Sequence, residues 1–310
     1  MELVTGENDG GRRLDRILRK ALPDYPLPLI HKLLRQKKVL VDGKPGKPDD
    51  RLNIGIKITI PESKDRQKSI SSSYQKYPPC LSASARTSSL DILWESQGLV
   101  AVNKPAGLAV HGSNSLDSIV QLYLADKLSP SLSFKPGPLH RLDKPSSGIV
   151  VFSKTLEGAR LFTSLMRERK IRKTYLAVAE GKIEKEEIWR DELVRDKEKK
   201  KTFVAKESGT GKDAITKITP LSFKDGCTSI KAQIETGRTH QIRAQAAAHG
   251  HPLAGDVKYG SAKTNNKYQM FLHAWKLEFL DHKIEAPPPA IWKKWNAVPE
   301  NVYQSSPYLN

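Results

Sequence analysis

Three short stretches hold residue types that do chemistry. His140 to Gly148 reads HRLDKPSSG and runs into the apolar segment Gly148 to Phe152, whose length and β-branched content are those of a strand covered on both faces. Asp143 therefore stands at a strand mouth, where side chains point into a crevice and a carboxylate is usually paired or working. The second stretch, KTYLA (Lys173 to Ala177), places Tyr175 on a strand. The third, TGRTHQIRAQAAAHGHP from Thr236, predicts a short helix: Thr239 offers the N-cap, Ala244 to Ala248 favour helix, and Gly250 with Pro252 supplies the stop. His240, Arg243 and Ala247 would share one face, from which Arg243 can reach Asp143 and hold it ionised and oriented. On residue types alone a structural ion pair is the default for Asp143 and Arg243, and a core aromatic the default for Tyr175.

Several other chemistries are excluded by spacing. KESGTGKD (Lys206 to Asp213) imitates a phosphate loop, but Lys206 occupies the place of the first Gly and Asp213 that of the magnesium-binding Ser or Thr, so it reads as an ordinary loop. Pro79-Cys80 lacks both the second Cys and the preceding His-x-Glu of a base deaminase. His249 and His251 have no third ligand at a familiar spacing, and structural roles are expected for both. No Gly-x-Gly-x-x-Gly cofactor loop is present. With only Cys80 and Cys227, a disulfide framework is excluded and both thiols read as reduced. Neither a metal nor a cofactor is expected.

The elements that must position these residues follow from composition and periodicity. The chain has 310 residues, 38% of them hydrophobic, enough for one large domain and a small one. Lys and Arg number 52 against 34 Asp and Glu, a net charge of +18 that collects polyanions, nucleic acid foremost. No apolar stretch approaches the ~18 residues of a membrane span, and MELVTGENDGG has neither the basic start nor the apolar centre of a signal peptide, so a cytoplasmic protein is expected. Residues 1–61 read as a compact unit: helices around Leu14 to Leu22 and Leu29 to Leu34, a hairpin at Asp42-Gly43, and a closing strand IGIKITI. Residues 62–89, rich in Ser, Lys and Pro, have the composition of a flexible linker. Residues 90–310 alternate strand-like and helix-like runs with short connections, which predicts an α+β domain with a mixed, largely antiparallel sheet.

Taken in order, HRLDKPSSG, KTY and GRTHQIR resemble the signature of the RluA-type RNA pseudouridine synthases, with Ser146 where that family more often has Thr. VAVNKPAGLAVHG, GKDAITKITPL and FLHAWKLEF resemble the family's leading strand, central strand and C-terminal segment. Residues 11 to 60 resemble the S-four-like RNA-binding module that many ribosomal-RNA members carry in front. The resemblance implies the pseudouridine synthase fold and isomerisation of uridine, with Asp143 as nucleophile, Tyr175 stacking on the uracil and helping to remove the ring-carbon proton, and Arg243 paired with Asp143. Arg141 would fill the space left by the flipped base. His140, Arg238 and His240 would join it in holding RNA.

Lys32, Arg35, Lys37, Lys38 and Lys44, with Lys47, form a basic cluster suited to the backbone of folded RNA, although a merely solvated face reads equally well. The implied partner is RNA, 23S ribosomal RNA in particular, with neither DNA nor a membrane, and the protein is expected to act as a monomer. The linker makes the N-terminal unit a tethered second RNA contact. Transfer RNA is the alternative substrate. Two rival functions stand beside this one: a glycosidase, which needs a second acid about 5 to 10 Å from the first, and a non-catalytic RNA-binding ribosome-assembly protein. Activity is expected to survive exhaustive chelation and dialysis; loss in EDTA with recovery on adding zinc would show that the histidines had been misread.

Overall fold

The computed structural model describes residues 1–61, 90–128, 130–262 and 270–295. The linker expected over 62–89 and Cys80 lie outside them.

The N-terminal unit is built on β1 (Glu2–Val4), β2 (Arg12–Arg13), α1 (Leu14–Ala21), α2 (Leu27–Arg35), β3 (Leu40–Val41), β4 (Lys44–Pro45), β5 (Arg51–Leu52) and β6 (Lys57–Thr59). Leu14, Ile17 and Leu18 of α1 and Ile30 and Leu34 of α2 recur at helical spacing and bury one face of each helix against Val39, Leu52 and Ile58. Asp42 and Gly43 both have positive φ (46° and 80°), the hairpin turn that joins β3 to β4. The strands order β1-β6-β3-β4, with β2 and β5 as a separate pair.

This unit is docked on the larger domain rather than merely strung to it. Asp9, fully buried, accepts from Ser131 Oγ at 2.8 Å, Leu132 N at 2.9 Å and both the amide and hydroxyl of Ser133 at 2.9 and 2.5 Å. Arg12 donates to the Ser133 carbonyl at 2.8 Å, and Leu132 packs on the core of the small unit. Burial opposes the charge of Asp9, but its bonds to Ser133, Leu132, Gly6 and Ser131 prevail and hold its pKa below the ordinary carboxylate value. The tethered picture drawn from composition misses this contact because its donors lie some 120 residues away in sequence.

The larger domain carries β7 (Ile92–Glu95), β8 (Leu99–Lys104), α3 (Leu116–Leu124), β9 (Gly137–Pro138), β10 (Ser147–Ser153), α4 (Leu156–Arg167), β11 (Arg172–Glu180), β12 (Glu187–Asp196), β13 (Lys201–Val204), β14 (Lys212–Lys224), β15 (Cys227–Ile234), α5 (Gln241–Ala248), β16 (Leu272–Phe279) and β17 (His282–Glu285). Its strands form one 11-stranded sheet in the order β13-β12-β14-β15-β11-β16-β10-β8-β7, with β17 added to β16 and β9 to β10. Every pairing described is antiparallel except β10 with β16. The fold is thus α+β with the mixed sheet expected, and no described helix is long and apolar enough to cross a membrane.

The parallel junction has a side-chain cause. Gly148 has φ +107°, and a Cβ there would fall on the Ala274 backbone, so only glycine lets the strands close. Beside it Ser147 pairs with His273. The His273 Nε2–H donates to the Ala286 carbonyl at 3.0 Å, so Nδ1 accepts from the Ser147 hydroxyl at 2.8 Å. Asn8 of the small unit, in turn, accepts from Leu156 N at 2.8 Å and satisfies the first turn of α4.

Asp9→Ala leaves five donors without their carboxylate and is expected to cost on the order of 2–3 kcal/mol. Combined with Ser133→Ala it should lose clearly less than the sum of the two single changes; strictly additive losses in denaturant melts would show that the two residues do not form a shared contact.

Candidate active site

Asp143 sits in the turn that feeds β10, its main chain closed by the Ser146 amide on the Asp143 carbonyl at 3.1 Å. Leu142 points away into the core with Val100, Val102 and Phe152, which leaves Arg141 and Asp143 facing the opposite side. His140 also turns inward. Its Nε2 accepts from the Val151 amide at 3.1 Å and its ring stacks on Phe162, while burial, helped by Lys173, depresses its pKa to about 3. The ring thereby supplies an acceptor that the edge of β10 lacks at this position and orients the turn.

Beneath the turn Lys104 is fully buried at the end of β8. Its Nζ donates to the carbonyls of Pro105 at 2.9 Å, Leu108 at 2.8 Å and Lys144 at 3.3 Å. One ammonium thereby staples the 105–108 loop to the 140–146 turn. Burial pulls its pKa down to about 8 against the opposing field of Asp143.

Arg243, on α5, meets Asp143 as the spacing predicts. NH1 donates to Asp143 Oδ2 at 2.6 Å, and the side chains are 6% and 19% exposed. The other edge of the guanidinium is taken by Asp256, with Nε to Oδ2 at 2.7 Å and NH2 to Oδ1 at 2.8 Å, and Asp256 is only 1% exposed. Burial works against the Arg243 charge, but the bonds to Asp256 and the fields of Asp256 and Asp143 outweigh it and raise its pKa. The face of the guanidinium lies 5.0 Å from the Tyr259 ring.

The helix starts one residue later than read. His240, not Thr239, is the N-cap, with φ 56° and ψ 25° and no side-chain cap bond. Gln241, the first helical residue, reaches back to the preceding loop, its Oε1 accepting from Arg238 N at 3.0 Å and from Thr236 Oγ1 at 2.8 Å. The left-handed backbone swings the His240 ring to Asp143, with Nε2 3.5 Å from Oδ1. Gly250, at φ +82°, follows the helix in the stop position expected.

These residues line a cleft of about 870 Å³ that includes Arg141, Asp143, Lys144, His240, Arg243 and Lys258. Beside it a recess of about 80 Å³ adds Tyr175, Ile234 and Leu272. Tyr175 on β11 is the register partner of Ala274, which in turn pairs with Gly148, so the row beside the ring is filled by the two smallest residues. Burial, reinforced by the negative charge of Asp143, pushes the Tyr175 hydroxyl pKa up and keeps it protonated. Arg141 is exposed on the rim; Arg238 lines the recess with its Nε donating to the Asp213 carbonyl at 2.9 Å. Lys32, Arg35, Lys37, Lys38 and Lys44 are exposed on α2 and the hairpin of the small unit, outside the cleft.

The histidines without ligand spacing are accounted for by structure: His249 stacks on Trp189 and bonds Asp191 at 3.1 Å, and His251 bonds the Glu180 carbonyl at 2.9 Å. The amides of Gly209 and Gly211, in the imitation phosphate loop, both donate to Glu192. Lys104, Asp256 and Tyr259 are the site residues the sequence reading passed over. The last two lie inside GDVKYG, where a charge and an aromatic bracketed by glycines signal a constrained turn but not its partner.

The site thus sets an arginine-paired carboxylate and a buried tyrosine ring side by side, next to a cleft lined by arginine and lysine. The RNA pseudouridylate synthase family matches residues 98–248. Ribosomal large subunit pseudouridine synthase D of Neisseria meningitidis is 32% identical over 87% of this chain and 72% of its own. Ribosomal large subunit pseudouridine synthase C of Pasteurella multocida is 29% identical over 89% and 85%. The solved human RNA pseudouridylate synthase domain containing 4 shares the fold, with a TM-score of 0.56 at 23% identity over 68% of this chain and 92% of that one. The chain belongs to the RNA pseudouridine synthases of RluA type, isomerases that convert uridine to pseudouridine in RNA.

Lys104→Met removes the donor from three carbonyls at once and should lower stability by on the order of 2 kcal/mol or more, although a methionine fills the same space. Denaturant melts matching the wild type would remove the staple from this account.

Proposed function

We propose that this enzyme modifies uridines of large-subunit ribosomal RNA, with Asp143 as the nucleophile that breaks the bond between uracil and ribose. The observation that carries the assignment is the division of labour around Asp143: Oδ2 is fixed on Arg243 NH1 while the carboxylate stays 19% exposed to the cleft. A buried cation partners the carboxylate inside a closed complex, where an unpaired charge would be costly. The detached base turns on the Tyr175 face and rejoins the ribose through a ring carbon. Because Tyr175 holds its own proton, the ring acts as a stacking surface, and removal of the ring-carbon proton falls to another acceptor. Asp143, which becomes free once the new bond has formed, is the acceptor in reach, and the proton passes from it to the ring nitrogen that lost the ribose, which restores the carboxylate.

Among the described residues the glycosidase reading finds no second acid open to a leaving group: the nearby carboxylate, Asp256, is enclosed and doubly bonded to Arg243. Ribosomal RNA is the substrate we favour because the relatives named above act, by name, on the large ribosomal subunit. The small unit, over residues 1–61, is assigned as an S-four-like RNA-binding domain in front of a catalytic domain over 90–310. Its exposed lysines and arginines suit phosphate contacts. Arg141 on the rim is placed to stack in the gap left by the extruded uridine, at a cost of a few kcal/mol for the flip. We take the working unit to be a monomer on 23S ribosomal RNA.

Asp143→Asn keeps shape and removes charge. It should bind RNA within about threefold of wild type and lose turnover by at least ~10³-fold. Turnover within tenfold would overturn the assignment. Pseudouridine mapping of total RNA from cells with and without the gene should show sites lost from large-subunit ribosomal RNA; sites lost only from transfer RNA would replace the substrate named here.

A further inference from the structure

Around His240 the hydrogen-bond donors leave only one arrangement of protons. The Thr202 amide donates to Tyr259 Oη at 2.9 Å, and Tyr259 Oη lies 2.9 Å from His240 Nδ1. That pair alone permits either direction, since a hydroxyl both donates and accepts. Arg195 decides it. Its NH1, bonded to Thr202 Oγ1 at 3.3 Å, lies 3.5 Å from the same Nδ1, and a guanidinium can only donate. Nδ1 is therefore bare, the tyrosine proton points at it, and the imidazole hydrogen is on Nε2. Burial raises the Tyr259 pKa and keeps that proton in place.

Nε2 lies 3.5 Å from Asp143 Oδ1, the oxygen that Arg243 does not hold. We propose that His240 is a positioning residue for Asp143, locked by Tyr259 and Arg195 as a neutral imidazole whose Nε2–H steadies the free carboxylate oxygen. The proposal rests on the reading of Asp143 as the reacting group. Its advantage is chemical: a second cation on Asp143 would stabilise the resting carboxylate and weaken it as a nucleophile, whereas a neutral N–H orients without that penalty. The groups facing the ring agree. Burial acts first to disfavour imidazolium, Arg243, Arg195 and Lys258 add repulsion, and only Asp143 opposes them, so the pKa falls to about 4. The left-handed backbone at His240, costly for a residue with a Cβ, is the strain that aims the ring.

The test uses the full chain labelled with ¹⁵N-histidine. His240 is assigned by its absence in His240→Asn, since asparagine tolerates φ above zero and preserves the helix start. Long-range proton–nitrogen spectra should show an Nε2–H tautomer that does not titrate between pH 5 and 8. An Nδ1–H tautomer, or a midpoint near the ordinary histidine value of about 6.5, overturns the proposal. Tyr259→Phe keeps the ring over Arg243 and removes one hydroxyl; it should shift the His240 midpoint upward and lower single-turnover kcat about tenfold or more, most at acid pH, with KM within about twofold. If the tautomer is as stated but Tyr259→Phe and His240→Asn both keep wild-type kcat, the positioning role is wrong while the proton map stands. An active Asp143→Asn would instead remove the reading of the site, whatever the spectra show.

Discussion

A guanidinium removed from water needs its charge answered at close range, and Arg243 is answered twice. Asp256 takes the Nε edge with two bonds and Asp143 takes the remaining NH1 with one. The asymmetry is what the site depends on. A fully enclosed carboxylate fixes the plane of the cation, so the exposed one is held at a single oxygen and remains available to substrate. Without Asp256, the buried Arg243 would be free to swing both its nitrogens onto Asp143, and both carboxylate oxygens would be tied up in an ion pair.

That clamp joins elements far apart in the chain, and the sheet is arranged to bring them together. Asp143 precedes β10, Arg243 lies in the first turn of the helix after β15, and Asp256 follows that helix. The junction of β10 with β16 passes beneath them, closed by Gly148 against Ala274 and by the buried bond from Ser147 to His273. Because the same small residues lie in the Tyr175 row, the device that closes the sheet also leaves small neighbours beside the Tyr175 ring. Lys104 ties the turn bearing Asp143 to the neighbouring loop from below.

The small N-terminal unit belongs to this rigid framework. Asp9 spends a buried charge on a loop of the larger domain, and Asn8 satisfies the start of α4, the helix whose Phe162 stacks on His140 under the Asp143 turn. Docking fixes the orientation of the basic face of this unit to the cleft.

The HRLDKPSSG turn, the strand after it, Tyr175 on a strand, the pairing of Arg243 with Asp143 and the α+β class were all legible in the sequence. Each rests on a local signal: β-branched runs, alanine-rich helical spacing, glycine at a turn, and complementary charges. The helix start at Thr239 was misplaced because capping propensity favours a hydroxyl, whereas here Gln241 reaches back and frees His240 to take a strained backbone. The inward packing of His140 on Phe162 was not legible, because residue type says nothing of which way a side chain turns. Asp256, Tyr259, Lys104 and the Asp9 contact stayed hidden for one physical reason. Their partners lie on other elements, and a buried charge or hydroxyl acquires its meaning only when the fold decides which donors and acceptors surround it.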